Sequence, residues 1–404
     1  YMHIGKDFVP PDVVGKVTGR IKYSEDYVRD GMVYARLLTS PIPHGRVVNI
    51  DASEALAMDG VFGILTADDV YPEGEPESTG VKILTNEPTI VGEPILAVAA
   101  IDEKTAETAM TRIEITFEQL PFALDPLDSL VEGGPDAYTG GNTFVFREGF
   151  AQAKWSADQV TSFKNGNEPT AEPQQTWEYG DVEGGFAASD FVYETAFSTA
   201  GYPHMSMEPR SAMAYWENGK CYLHGTSQSL TAITAGMAQI VGVPLEDFIF
   251  INEATGGGFG QRARAGSIPG MAIPAKFSQK INRPVMMRVT REEEFTIGGA
   301  RQGLQGWIKC GFKADGTMAA MDMYCISDSG GKGGGGDANA AASGVSVLYQ
   351  TEAMRFRNTS IGTNTGHRGA QRGPGENQIM AVMSPIMDRA AEALGLDRLE
   401  IRKL

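Results

Sequence analysis

Cysteine is scarce: Cys221, Cys310 and Cys325 are the three in 404 residues, far apart and odd in number. A disulfide framework is not the organising device, and no CxxC-type spacing offers ligands for an iron-sulfur cluster. Histidine numbers five, and with no GxSxG elbow a covalent-serine hydrolase is a weak reading. Basic residues are outnumbered, 34 Lys and Arg against 51 Asp and Glu, for a formal charge of -17. They gather into no stripe, so nucleic-acid binding would work against the field of the chain, and no such partner is expected. No uncharged apolar run reaches the roughly 18 residues of a membrane-spanning helix, and no apolar segment follows a basic start. A soluble, cytoplasmic protein without membrane insertion is the expectation.

Glycine is abundant, 49 residues against 21 prolines, and unperiodic. The excess points to tight turns and close backbone approaches, in a chain long enough for two or three domains. Eighteen methionines form no motif and read as core filling.

Periodicity predicts an α+β organisation. Short strands are expected at MVYARLL, RVVNID and GVFGIL, then a buried strand over Ile95–Ala100, a helix over Glu103–Met110 and a strand over Ile113–Phe117. This unit, 1–126, gives way to a poorly patterned connector, 127–175, read as a wrapping segment. A second α+β domain, 176–404, is expected to contain the strands DFVYETAFSTA, CYLHGT and FIFINEA and the helix TAITAGMAQIVGV. Two more strands bracket the turn GFKADGT, and the amphipathic helix near IMAVMSPIMDRAAEAL carries Pro385 as a kink and Gly395 as a cap. The run DSGGKGGGGDANAAAS reads as a mobile loop or a backbone hugging a cofactor.

Four segments carry chemical content. Gly256, Gly257, Gly258, Phe259, Gly260, Gln261 and Arg262 follow a strand directly. Successive glycines expose backbone N–H groups that can cradle a phosphate, an oxo ligand or a pterin edge, and a sharp structural turn is the alternative. The run matches neither GxGxxG nor GxxxxGK[ST]. A second glycine-crowded loop, Gly362 to Glu376, holds Arg368 and Arg372; their guanidinium forks suit an anionic ligand, or else pair with nearby acids and fix the loop. His204 and Glu208, in YPHMSMEPR, have the spacing of a metal pair, but two flanking prolines and no third ligand favour a rigid turn that lines a cavity or ties domains together. Gln228 offers an amide to a ligand, while the neighbouring Ser227 or Ser229 suits a helix cap.

Read in order, KVTGRIKYSEDY, LLTSPIPHGRVVNID, VGEPILAVAAIDEKTAETA and ITFEQLP resemble the small N-terminal a/b domain of the molybdenum hydroxylases, the xanthine dehydrogenase, aldehyde oxidase and carbon monoxide dehydrogenase family. HMSMEPR, TSQ, GGGFGQR and TNTGHRGAQRGP resemble its first molybdenum-cofactor-binding domain. The similarity runs over essentially the whole chain, in a split-subunit form like nicotinate dehydrogenase.

The resemblance implies a molybdopterin, in its cytosine dinucleotide form, holding molybdenum through its own sulfurs, so no metal ligand from the chain is expected. Gln228 would donate to an oxo ligand; Gly257, Gly258, Phe259, Gly260, Gln261, Arg262, Arg368 and Gly369 would lie against the cofactor; Gln228 and Arg368 would serve catalysis. Ala263, His367, Ala370 and Arg372 would line the substrate pocket. Where purine-oxidising relatives have a glutamate and a phenylalanine, this chain has Ala263 and Ala370, which argues against xanthine. Gly369 stands where carbon monoxide dehydrogenases place a copper-binding cysteine. The family's general-base glutamate belongs to a later domain, expected on a second molybdenum-binding subunit. A [2Fe-2S] subunit and an FAD subunit would carry electrons away. The implied reaction is hydroxylation by water of an electron-poor carbon in an N-heteroaromatic molecule such as nicotinate. Aldehyde oxidation, dehydroxylation of an aromatic acyl-CoA, and a noncatalytic assembly or cofactor-loading role are the alternatives.

Overall fold

The computed structural model describes residue 2 and residues 4–75, 82–145, 149–331 and 336–404. The glycine run at 332–335, within the segment read above as a mobile or cofactor-hugging loop, lies outside the described residues. Two sheets organise the rest. The first has seven strands in the order Phe248–Ile251, Lys220–His224, Ala212–Glu217, Val285–Met287, Val33–Thr39, Pro94–Ala100 and Val61–Thr66. Strands from both sides of the expected boundary near residue 126 therefore share one sheet. The junction is the parallel pairing of Val33, Tyr34 and Ala35 with Val285, Met286 and Met287. One core follows from it, in which Val33, Leu37 and Leu65 pack with Leu223, Ile233, Phe277 and Met287.

The second sheet has five strands, in the order Gln175–Tyr179, Ala353–Gly362, Met318–Gly330, Leu304–Phe312 and Phe191–Thr199. The strand Met318–Gly330 is buried almost without alternation, which requires cover on both faces. On one face lie the helices Asp337–Leu348 and Glu376–Leu394, whose Ala341, Val345, Ile379, Met383 and Ile386 meet Met321, Met323 and Phe356. On the other face Leu130, Trp155, Val160 and Phe163 pack against Trp307, Tyr324 and Ile361. The segment expected to wrap thus supplies that cover, held by Asn142, whose side chain donates to Ser129 O at 3.0 Å and Ala153 O at 2.9 Å.

The helices end where local chemistry dictates. Leu230–Val241 begins at Ser229, whose hydroxyl accepts from Ala232 N, and stops at Gly242, left-handed at φ 78°. Glu376–Leu394 contains Pro385 and ends at Gly395, φ 68°. Among the described residues no helix is long and apolar enough to cross a membrane.

Candidate functional site

The strand Phe248–Ile251 delivers its chain into the first glycine loop at the sheet's edge. Two side-chain contacts fasten the loop's start: Asn252 Nδ2 and Thr255 Oγ1 donate to Ser227 O at 2.8 and 2.7 Å. Glu208 then acts as a staple. Its Oε1 accepts from Ser24 N and Oγ at 3.1 and 2.8 Å, and its Oε2 accepts from Thr226 Oγ1 at 2.8 Å and Gly256 N at 2.6 Å. His204 turns elsewhere, placing Nδ1 3.2 Å from Gly299 O and Nε2 2.9 Å from Ala370 O. The two residues spaced like a metal pair therefore tie separate segments together and converge on no common point.

Gln228 is fixed by the loop it faces. Its Oε1 accepts from Gly260 N at 2.7 Å and from Arg262 N at 3.2 Å. Two N–H donors require the amide oxygen to point inward, so Nε2 is left as a donor with no protein partner among the described residues. Gly258 is needed here because a Cβ would come within 2.4 Å of Gln228 Cγ.

The two glycine loops, about a hundred residues apart in sequence, meet. Arg372 N donates to Phe259 O at 2.8 Å, and a Cβ on Gly260 would lie 2.6 Å from Ala370 O. Phe259 adopts φ 49°, a left-handed conformation costly for an aromatic residue, with its ring partly exposed. Gln228, Phe259, Gly260, Ala370, Gln371, Arg372 and Pro374 line a cleft of about 360 Å³.

The arginines separate sharply in role. Arg372 pairs with no carboxylate among the described residues and stands at the cleft. Arg368 is engaged: its Nη2 lies 2.6 Å from Asp328 Oδ2 and 3.0 Å from Thr365 Oγ1. Arg262, expected to lie against the cofactor, turns its side chain away from the cleft. Its guanidinium is 0% exposed, donating to Thr226 Oγ1 at 3.0 Å and Glu208 O, with Glu294 Oε1 3.6 Å away. With Arg210, which is bound to Glu294, it makes a buried quartet of two arginines and two glutamates. Burial drives the Arg210 pKa down to about 10, against the pull of Glu294. The quartet holds the loop from behind, and what Arg262 presents toward the cleft is its backbone, through Gln228.

Of the other predicted residues, Gln261, His367, Arg368 and Gly369 line a second cavity, of about 260 Å³. Ala263 is half-buried and lines neither space.

A residue missed in the sequence organises the second loop. Arg301 is 2% exposed and donates to Gln371 Oε1 at 3.0 Å, Gly373 O at 2.7 Å, Gln378 Oε1 at 2.9 Å and Arg372 O at 2.7 Å. It has no carboxylate within salt-bridge reach among the described residues, so its charge is met by loop carbonyls and amides, which places Arg372. Ala300 N also donates to His367 O, and Gly369 N to Ala300 O, at 2.8 and 2.9 Å. The segment GGARQG, residues 298–303, was a signal of the same glycine-arginine kind as the other two loops.

A family model for the molybdopterin cofactor-binding domain matches residues 164–404. The chain belongs to the molybdenum hydroxylase family. A second model, the a/b hammerhead domain of aldehyde oxidase and xanthine dehydrogenase, matches residues 18–121. The chain is 28% identical to the xanthine dehydrogenase molybdenum-binding subunit of Escherichia coli O157:H7, over 97% of this chain and 50% of that one. It is also 28% identical to the nicotinate dehydrogenase large molybdopterin subunit of Eubacterium barkeri, over 100% of this chain and 89% of the relative. Quinoline 2-oxidoreductase from Pseudomonas putida 86 shares the fold, with a TM-score of 0.81 and 24% identity over 99% of this chain and 49% of that one. The chain thus spans about half the length of several relatives in the family.

Proposed function

We propose that this chain is the molybdenum-cofactor-binding subunit of a multi-subunit hydroxylase acting on an N-heteroaromatic acid such as nicotinate. The observation that carries the reading is the meeting of the two glycine loops around Gln228. Glycines at 258 and 260 occupy places a side chain would fill, and Gln228 Nε2 is left as a positioned donor beside them. Those features fit a flat, polar-edged group: Gln228, Phe259 and Gly260 would hold it from one loop and Ala370 from the other. Bound molybdopterin would supply two-electron oxidation with water as the oxygen source.

The chain's own residues do the positioning. Gln228 holds its donor at one point in the cleft because Gly260 N and Arg262 N lock its oxygen. Arg372 offers an exposed fork for a substrate carboxylate, and Arg301 keeps it in register. Nicotinate is favoured because the Eubacterium barkeri relative, of which 89% is covered, bears that activity in its name. The general-base glutamate is assigned to a second molybdenum-binding subunit, and electron transfer to [2Fe-2S] and FAD subunits.

The test is purification of the native complex under anaerobic conditions, with metal analysis and turnover of nicotinate in H₂¹⁸O. Stoichiometric molybdenum and ¹⁸O in the product are the expected results. A stable, metal-free homomer would overturn the reading.

A further inference from the structure

The second cavity holds polar groups that the cofactor reading leaves unused. Gln261 is 5% exposed and lines it, yet neither its Oε1 nor its Nε2 has a hydrogen-bond partner among the described residues. The amide is not among the fully enclosed polar atoms left without a partner; its two ends open into the cavity, where a ligand or water can meet them. The surroundings are shaped to keep it there. A Cβ on Gly369 would come within 2.0 Å of Gln261 Nε2, and one on Gly299 within 2.9 Å, so two glycines leave the space the amide fills. Arg210, 4% exposed, lines the same cavity and has an unpartnered Nε. Ile83, Leu84, Ile268, Met271, Met287 and Ile297 make the apolar part of the wall, and Lys82, Thr85, Glu93, Ser267, His367 and Arg368 also line it.

The cavity is one residue pair away from the cleft. Gln261 and Gly369 face the cavity, while their chain neighbours Gly260 and Ala370 face the cleft. Any ring held by Gln261 is therefore beside the place where the reaction is proposed to occur.

A primary amide presents a donor and an acceptor side by side. Its complement is a group with a carbonyl and an N–H in the same order, as in a cyclic lactam. Hydroxylation of an aromatic carbon next to a ring nitrogen yields such a group, because the hydroxy-azaarene tautomerises to the lactam. The apolar residues of the wall suit the faces of a flat ring, two methionines among them can adapt to its outline, and the polar ones leave its edge to the amide and its neighbours. We propose that the 260 Å³ cavity binds a planar lactam-bearing heterocycle, with Gln261 as the residue that recognises its paired N–H and C=O. This rests on the hydroxylase reading for its chemical logic, and assigns Gln261 to ligand specificity instead of cofactor contact.

Calorimetric titration of the purified protein with 2-pyridone, N-methyl-2-pyridone and pyridine tests it, with molybdenum measured on the same preparations. Saturable binding of 2-pyridone is expected, at least about tenfold tighter than either of the other probes, since N-methyl-2-pyridone lacks the N–H and pyridine lacks both the N–H and the C=O. Gln261→Leu should lose that margin while keeping its circular dichroism spectrum. Equal affinity for the three probes, no saturable binding, or an unchanged margin in a folded Gln261→Leu variant would overturn it. If the variant does not fold, the comparison of probes on the unaltered protein still decides. Molybdenum present without lactam binding defeats the cavity assignment alone; lactam binding in a metal-free homomer defeats the hydroxylase reading alone.

Discussion

Arg372 N donates to Phe259 O at 2.8 Å, joining two loops separated by more than a hundred residues. The bond is between backbone atoms, so its survival depends on how closely the chains approach, and not on side-chain identity at either end. Close approach is what glycine at 260 permits, and it is the first thing mutation can disturb.

Gly260→Ala should part the loops. The residue sits at φ 107° and a Cβ would lie 2.6 Å from Ala370 O, a backbone atom that cannot swing aside. We expect a cost of about 1–3 kcal/mol from the conformation alone, read as a lowered urea midpoint. An unchanged midpoint would show that the loops are not in contact.

Glu208→Ala should be among the most damaging substitutions in the chain. It removes acceptors for Ser24, Thr226 and Gly256 and one counter-charge of the fully buried Arg262. A loss of about 3–5 kcal/mol is expected, because a buried charge then lacks part of its compensation. Equilibrium denaturation measures it, and a cost below about 1 kcal/mol, the level of an exposed pair, would contradict the staple.

Gln228→Ala should leave the fold intact and reduce turnover of the assembled enzyme by roughly a hundredfold, the scale of removing one positioned donor from a catalytic site. Molybdenum content should stay near that of the unaltered complex. Full activity with the cofactor retained would remove Gln228 from the site.

Arg368→Met separates two roles by two measurements. Loss of the ion pair with Asp328 should cost on the order of 2 kcal/mol. Asp328 Oδ1 would still accept from Gly330 N and Thr363 Oγ1 at 3.0 and 2.7 Å, so the loop is weakened and not released. Turnover should fall with stability. If both stay unchanged, Arg368 belongs neither to the loop's framework nor to the reaction.

His224 makes stability depend on pH. Its ring lies 4.1 Å from that of Tyr27, its Nδ1 is buried without a partner, and burial together with Arg29 and Lys22 depresses its pKa to about 4. Between that value and the unfolded value near 6.5 the unfolded chain binds the extra proton, so stability rises with pH across this window and falls as pH drops through it. The full effect is on the order of 3 kcal/mol. His224→Phe should flatten the profile between pH values of about 4 and 6.5, while a profile of unchanged slope would place the dependence elsewhere.

Local periodicity carried much of the architecture. The strand expected at Ile95–Ala100 is Pro94–Ala100, the helix expected at Glu103–Met110 occupies those residues, and the cap expected at Gly395 ends its helix. What escaped was long-range. Arg301 could not be singled out, because its four acceptors lie 70 to 77 residues further along and its burial is a property of the packed molecule.

Three arginines of like composition and setting show the division most plainly. Each stands in or beside a glycine loop, and residue type alone established that each could grip an anion. Packing sent Arg262 into a closed ion-pair quartet, bound Arg368 to Asp328 and left Arg372 at the cleft. Amino-acid order determined where helices and strands start and stop, since those depend on neighbours a few positions away. Which polar group stays available to a ligand was settled in three dimensions, because a buried charge must first satisfy whatever partners folding brings to it.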